Sequence, residues 1–319
     1  RARPQRSDEA TLRLALRVGK QPARVFTDRA NGSAGRRFSG GDATAADSEP
    51  VTMSAAGSDD RLKTLNDELR GQANAQGPWL PLESNPEVFS SFAKKVDLPE
   101  THEWQDILGL DPELLAMVPQ PVAAIILLFP CTPGIYRARR EEDRSLRAHV
   151  AAGSLTEAAS KPFFLEQVAS FGNACGTIAA VHSLTNADIP RLQSGPVCAF
   201  RDETAAKTPT QRGAALLTTQ HLKEVSDTAA EHVAAQTACP SREGPDLDHH
   251  YCAFVPVKVE SGAVHVVELD GTKVCPVDHG PVAGGETFLQ GAAAVVQASF
   301  MSVEPGSMEF AMMALCTVG

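Results

Sequence analysis

No apolar run in this 319-residue chain is long enough to span a membrane. The longest, Val122 to Phe129, is stopped by Pro130 and has the length of a buried strand. Cysteine is present but unpatterned: its seven copies are odd in number and form no Cys-x-x-Cys pair. That argues against a disulfide framework and a zinc site, and makes the reducing cytosol the natural compartment. The nine histidines include the doublet His249-His250, yet no His-x-x-x-His or His-Glu-x-x-His spacing supports a metal, and no cofactor is expected. Aromatics make up only 5% of the residues, and no basic stripe interleaved with them supports nucleic-acid binding. What is there, 43% hydrophobic and 21% charged, suits a soluble globular protein with a sizeable core.

Charge divides the chain. Residues 1–50 carry ten Arg and Lys against six Asp and Glu, a net of +4, while the rest carries 19 against 33, a net of −14. The first segment, to about Ala56, is rich in Arg, Ser, Ala and Gly and shows little periodicity. It reads as a disordered extension, an Arg-rich transit signal, or sequence upstream of the true start, since the first methionine is Met53.

From Pro78 onward helical and strand patterns alternate. Asn85-Pro86-Glu87 opens a helix with a capping side chain, proline in the first turn and an acid at the positive dipole end. Val88, Phe89, Phe92 and Val96 form its apolar stripe, and Asp111-Pro112 opens a shorter helix. Helices are expected over Gln211–Val225, Thr228–Gln236 and Glu286–Met301, and a mobile polar loop over Cys239–Asp248. Tyr251–Val259 and Ala263–Leu269 read as strands joined at Glu260-Ser261-Gly262, and Glu309–Cys316 as a last strand. The fold class is α/β of mixed order.

One cysteine stands out. In Phe171-Gly-Asn-Ala-Cys-Gly-Thr177, Asn173 is placed to cap a helix over residues 173–185, which puts Cys175 in the first turn. There the positive end of the helix dipole favours an anionic sulfur, a nucleophile in waiting. Taken alone, the same stretch also reads as a small buried cysteine at a helix start. A cysteine nucleophile needs a base and an orienting acceptor. In the hairpin, His250, Cys252 and Phe254 share one face, and antiparallel pairing brings His250 close to Asp270 at the end of the second strand. Taken singly, His250 is a strand-edge histidine and Asp270 a turn former in Asp-Gly.

These pieces, with others in the same order, resemble one known family. The stretches are Trp79–Glu87, Gly109–Pro119, Val122–Pro130, Asn173–Ile178, His250–Phe254, Glu268–Lys273 and His279-Gly280. Together they are similar to the ubiquitin C-terminal hydrolases, cysteine peptidases, and specifically to the short cytosolic isozymes. The likeness runs from residue 78 to about 317, so residues 78–319 are expected to form the catalytic domain and residues 1–77 an extension.

The resemblance implies a papain-like α/β fold, with a central antiparallel sheet flanked by helices and a knotted backbone. It implies a deubiquitinating thiol hydrolase that cleaves small or unstructured adducts from the C-terminal glycine of ubiquitin through an acyl-enzyme. By match of motif, Cys175 is the nucleophile, His250 the general base and acid, and Asp270 its orienter; His249 is the alternative base. Gln167 is the expected oxyanion donor. Seven residues separate it from Cys175 where the family usually has five, so the segment either bulges outward or displaces the glutamine.

Glu83, Glu87 and Asp106 match the family's ubiquitin-facing acids, although each also reads as an ordinary solvated acid. The segment from Ser226 to Asp248 matches the loop that crosses the active site. The implied partner is ubiquitin, with Nedd8 as alternative, for a monomer in the cytoplasm, the nucleus being left open, with no membrane or nucleic-acid partner. A ubiquitin-binding protein with little catalysis is the rival function.

Overall fold

The computed structural model describes residues 78–237, 239 and 247–318. The expected N-terminal extension, and most of the polar loop between Cys239 and Leu247, lie outside the described residues.

Six strands form one antiparallel sheet in the order β1-β6-β2-β3-β4-β5. They are β1 (His102–Asp106), β2 (Val122–Pro130), β3 (His249–Lys258), β4 (Val264–Leu269), β5 (Val277–Pro281) and β6 (Ala311–Thr317). The unbroken apolar run of β2 follows from its position inside the sheet, where both faces are covered. Ile126 faces one apolar cluster while Ile125 and Leu127 face the other. The expected β3–β4 hairpin forms, and Gly262 takes the positive φ of +87° that its turn demands. The two edge strands were not expected. β1 buries only Trp104 and β5 reads Val-Asp-His-Gly-Pro, so neither carries the alternating apolar pattern that marks a strand.

The helices in chain order are α1 (Pro86–Lys95), α2 (Pro112–Leu115), α3 (Pro133–Ala152), α4 (Glu157–Ser160), α5 (Cys175–Asn186), α6 (Pro196–Glu203), α7 (Pro209–Leu217), α8 (Gln220–Ala230) and α9 (Phe288–Val296). α1 starts as its sequence dictates: the Asn85 side chain accepts the Glu87 N–H at 2.9 Å, and Val88, Phe89, Phe92 and Val96 are fully buried. Each such phenylalanine contributes about 1.5–3 kcal/mol of transfer free energy. α9 is shorter than expected and continues as a single π-helical turn, Gln297–Met301.

The helix expected from Gln211 to Val225 is two helices. Thr208 and Gln211 form a capping box that starts α7 at Pro209. At its end the hydroxyls of Thr218 and Thr219 both donate back to the Ala215 carbonyl, at 3.0 and 2.9 Å, and compete with continuation of the helix. α8 then runs through Ser226, which is buried with its hydroxyl 2.6 Å from that of Thr177. The segment matched to the crossing loop therefore begins inside a helix, and irregular chain starts only after Ala230.

The core has two apolar clusters, one on each side of the sheet. α1 and α5 pack on the side carrying Ile126, Ala253, Val255 and Leu315. α9 packs with Phe300 on the side carrying Leu127, Phe129, Phe254 and Met312. α3 differs from the rest, because Ile135 alone among its twenty residues is fully buried.

Candidate active site

Every residue of α5 from Cys175 to Thr185 is buried, so this helix is fixed by packing on all sides. Its start is one residue later than its sequence suggests. Ala174, not Asn173, is the N-cap, and no side chain caps the first turn. The chain is re-aimed by Gly172 at φ +66°, which moves Asn173 out of capping position. Without a side-chain cap, the first-turn N–H groups, that of Cys175 included, remain available as donors. Gly176 lets the helix start close to its neighbours: a Cβ there would lie 3.2 Å from both Leu82 Cβ and Tyr251 Cε2. Cys175 is thereby held beside the first residues of β3, with 8% of its surface exposed.

The sheet supplies the partner groups. Ala253 pairs with Leu269, and continuing that register sets Asp270 across from Cys252, one diagonal step from His250 on the same face. His250 Nε2 lies 2.7 Å from Asp270 Oδ1, and His250, not its neighbour His249, makes this contact. The His250 ring meets Phe129 edge to face at 5.5 Å. With Nε2 on the aspartate, Nδ1 is the nitrogen left for the Cys175 sulfur, whose presence also favours the charged imidazole. Burial disfavours the imidazolium, but the charge and hydrogen bond of Asp270, followed by those of Cys175, outweigh it and push His250 up to about 10.

Asp270 is buried and accepts twice more through Oδ1, from the Thr272 N–H at 2.9 Å and the Thr272 hydroxyl at 2.8 Å. Burial alone would raise its pKa; the charges of His250 and Arg139 instead hold it well below the carboxylate range. Sulfur, imidazole and carboxylate thus form a pre-assembled chain that can carry an imidazolium beside a nucleophile.

Gln167 sits in an extended segment tied at every residue. The Asn186 side chain bridges both backbone groups of Phe163, at 2.8 and 2.9 Å. Arg212 donates to the Phe164 carbonyl at 3.0 Å, and the Glu166 N–H donates to the Pro209 carbonyl at 3.1 Å. The Leu165 N–H donates to His182 Nε2 at 3.1 Å; burial pushes His182 down to about 4, which keeps it neutral and able to accept. Finally the Gln167 N–H donates to the Gly271 carbonyl at 2.7 Å, one residue beyond Asp270.

The stretch holding the extra residues before Cys175 is a surface turn with Ala169 and Gly172 exposed, but it turns Phe171 inward. Ala169–Phe171 form a 3-10 turn, and Phe171 is buried against Trp79, ring centroids 5.3 Å apart. An apolar phenylalanine in the inserted stretch gains more from the core than from solvent. Gln167 Nε2 donates to the Gly172 carbonyl at 3.2 Å, and its second N–H has no acceptor among the described residues.

The segment leaves a sharp expectation at Gly213. A Cβ there would lie 2.0 Å from the Glu166 carbonyl oxygen, a backbone atom with no room to retreat. Gly213→Ala is expected to cost roughly 1–3 kcal/mol of stability, as overpacking does. Urea denaturation would show this as a lower midpoint, and unchanged stability would mean that α7 is not seated as described.

The three matched acids differ in their surroundings. Glu83 accepts from the Gln236 and Thr237 N–H groups at 2.9 and 2.7 Å and from the Thr237 hydroxyl. With Asn85, which donates to the Ala234 carbonyl at 2.9 Å, it pins the start of the loop after α8. Glu87 is exposed in the first turn of α1, and Asp106 is exposed at the end of β1.

One group of charges was not anticipated as a cluster. Arg139 Nη2 donates to Glu268 Oε1 at 2.8 Å and also to Asp270 Oδ2. Glu268 further meets Lys273 at 3.1 Å and His279 at 3.0 Å, and Lys273 pairs with Glu142. Arg139 and Glu142 follow the buried Ile135 at helical spacing, a signal that the dense charge of α3 concealed.

The chain is also similar to known proteins in sequence and in fold. The family model described as ubiquitin carboxyl-terminal hydrolase, family 1, matches residues 79–302. The chain is 34% identical over 238 residues to a ubiquitin carboxyl-terminal hydrolase of Drosophila melanogaster, covering 74% of this chain and 96% of that one. It is 32% identical over 247 residues to ubiquitin carboxyl-terminal hydrolase 3 of Arabidopsis thaliana, covering 76% and 96%. In fold it is similar to the Trichinella spiralis UCH37 catalytic domain, solved bound to ubiquitin vinyl methyl ester. That likeness has a TM-score of 0.57 at 22% identity, over 80% of this chain and 100% of the other.

Proposed function

The chain belongs to family 1 of the ubiquitin carboxyl-terminal hydrolases and is a ubiquitinyl hydrolase of the cysteine-peptidase type; we propose that Cys175, His250 and Asp270 perform its chemistry, with Gln167 assisting, in a catalytic domain of residues 78–319. The observation that carries this assignment is the 2.7 Å contact of His250 with Asp270, made at the start of β3 beside the helix that Cys175 begins. Ubiquitin is the substrate partner.

In this reading the Cys175 thiolate attacks the carbonyl carbon of ubiquitin's C-terminal glycine. The negative charge that develops on the carbonyl oxygen meets the uncapped N–H of Cys175 and the free N–H of Gln167 Nε2. His250, protonated at rest, gives its Nδ1 proton to the departing amine as the carbon–nitrogen bond breaks, leaving a thioester on Cys175. The now neutral imidazole takes a proton from water, which attacks the thioester and releases the ubiquitin carboxylate and the thiolate. Asp270 keeps the Nε2–H directed away from the sulfur throughout, so that Nδ1 does the proton transfer.

Restriction to small or unstructured leaving groups is supported by the pinning of Ala234, Gln236 and Thr237 by Asn85 and Glu83. That ties the start of the connection to β3 next to Leu82, whose carbonyl accepts the Tyr251 hydroxyl at 3.1 Å beside the catalytic histidine.

Hydrolysis of a fluorogenic amide on the ubiquitin C-terminus tests the reading directly. The protein is expected to turn it over; tight ubiquitin binding with no turnover would replace a hydrolase by a binding protein. Gln167→Ala is expected to lower kcat by about 10²–10³-fold, the loss usual for one oxyanion donor. An unchanged kcat would remove Gln167 from the mechanism.

A further inference from the structure

We propose that Arg139 is a positioning residue for this reaction, acting on the imidazole through the second oxygen of Asp270. The inference rests on the assignment of Cys175, His250 and Asp270 given above.

α3 is a mostly solvated helix, and Arg137, Arg140 and Arg144 are exposed on it. Arg139 instead turns inward, with 14% of its side chain exposed. Its guanidinium carbon lies 4.7 Å from the Phe129 ring centroid and 5.1 Å from that of Phe300. Phe129 is the ring against which His250 rests. The guanidinium therefore occupies one wall of the site, fixed by two aromatic faces, and a cation so placed needs anionic partners.

Two carboxylates are available, and they differ in what else they have. Glu268 is served independently by Lys273 and His279. Asp270 Oδ1 is occupied by His250 and by both donors of Thr272, but for Oδ2 Arg139 is the partner among the described residues. Without Arg139, Oδ2 would be a buried anionic oxygen with no donor, and the carboxylate would be free to turn about its Cβ–Cγ bond. Either change moves Oδ1 from the line of the His250 Nε2–H. A planar fork held by stacking resists that rotation; a single ammonium does so less well.

The test is a double-mutant cycle on the hydrolysis of the fluorogenic ubiquitin amide. Arg139→Met is expected to lower kcat by about 10–100-fold with KM unchanged, and Arg139→Lys to recover part of the loss. In an Asp270→Asn background, where the carboxylate is already gone, Arg139→Met is expected to change kcat by less than about threefold. Equal proportional losses in both backgrounds would mean that Arg139 only supports the fold, and wild-type kcat in Arg139→Met would remove it altogether. Should Arg139→Met not fold, Arg139→Lys in the two backgrounds gives the same cycle. Failure of the wild-type protein to hydrolyse the amide would instead overturn the assignment beneath the proposal.

Discussion

Cys175→Ala is expected to reduce hydrolysis of ubiquitin amides by on the order of 10⁶-fold while leaving the fold and ubiquitin affinity nearly as they were. The large loss follows from chemistry: with the sulfur gone no thioester forms, and oxyanion donors and binding alone assist a direct attack by water. The small structural effect follows from position. Cys175 begins a helix whose next ten residues are buried, and the substitution deletes one atom at a surface that is 8% exposed. Two measurements on one preparation decide it: turnover of the fluorogenic amide, and calorimetric titration with ubiquitin. Retained turnover would sink the assignment of the nucleophile, and lost binding would show that the variant had failed for structural reasons.

Asp270→Asn is expected to cost about 10⁴-fold in kcat and to reshape the pH profile. His250 is pushed up to about 10, with the charge of Asp270 the foremost upward cause. The protonated imidazole that serves as acid is therefore kept in the wild-type protein as pH rises, and the alkaline limb of kcat/KM falls near pH 10. Replacing the carboxylate by a neutral amide removes that support, so the alkaline limb moves to lower pH. A limb that stays in place would mean that Asp270 does not set the charge of His250.

Stability follows the same linkage with a definite sign. His250 is raised on folding, so its contribution is complete below its unfolded value of about 6.5 and is lost as pH climbs through about 10. Asp270 is depressed, so its contribution is present above its unfolded value near 4 and is lost as pH falls through its folded one.

How much of this was legible beforehand can be argued element by element. Asn85-Pro86 opened α1 because a cap and a proline act within one turn of chain. β2 and the β3–β4 hairpin were legible because a period of two needs only neighbouring residues, and antiparallel pairing of the hairpin brought its ends, His250 and Asp270, close together. The edge strands were not, since β1 and β5 each have a strand neighbour on one side only and carry little apolar alternation. Asn173 misled for a related reason: its capping preference is local, but Gly172 and the burial of Phe171 against Trp79 set where α5 begins.

Sequence by itself therefore determined several of the helices and the central strands, though not α3, the longest helix, and through a collinear resemblance it determined the family and nominated Cys175, His250, Asp270 and Gln167 for the proposed site. The helix caps and strand periods are written in short stretches that need no distant partner, while the family and the site residues come from the resemblance of those stretches to known hydrolases. Tertiary structure alone decided that Arg139 leaves the charged face of α3 to meet Asp270, that Glu83 spends its carboxylate on Gln236 and Thr237, and that five separate contacts hold the Gln167 segment. Each joins residues far apart in the chain through a charged or backbone group that needs a partner. Such a group is satisfied only by whatever the packed fold brings within about 3 Å, and no local pattern records that.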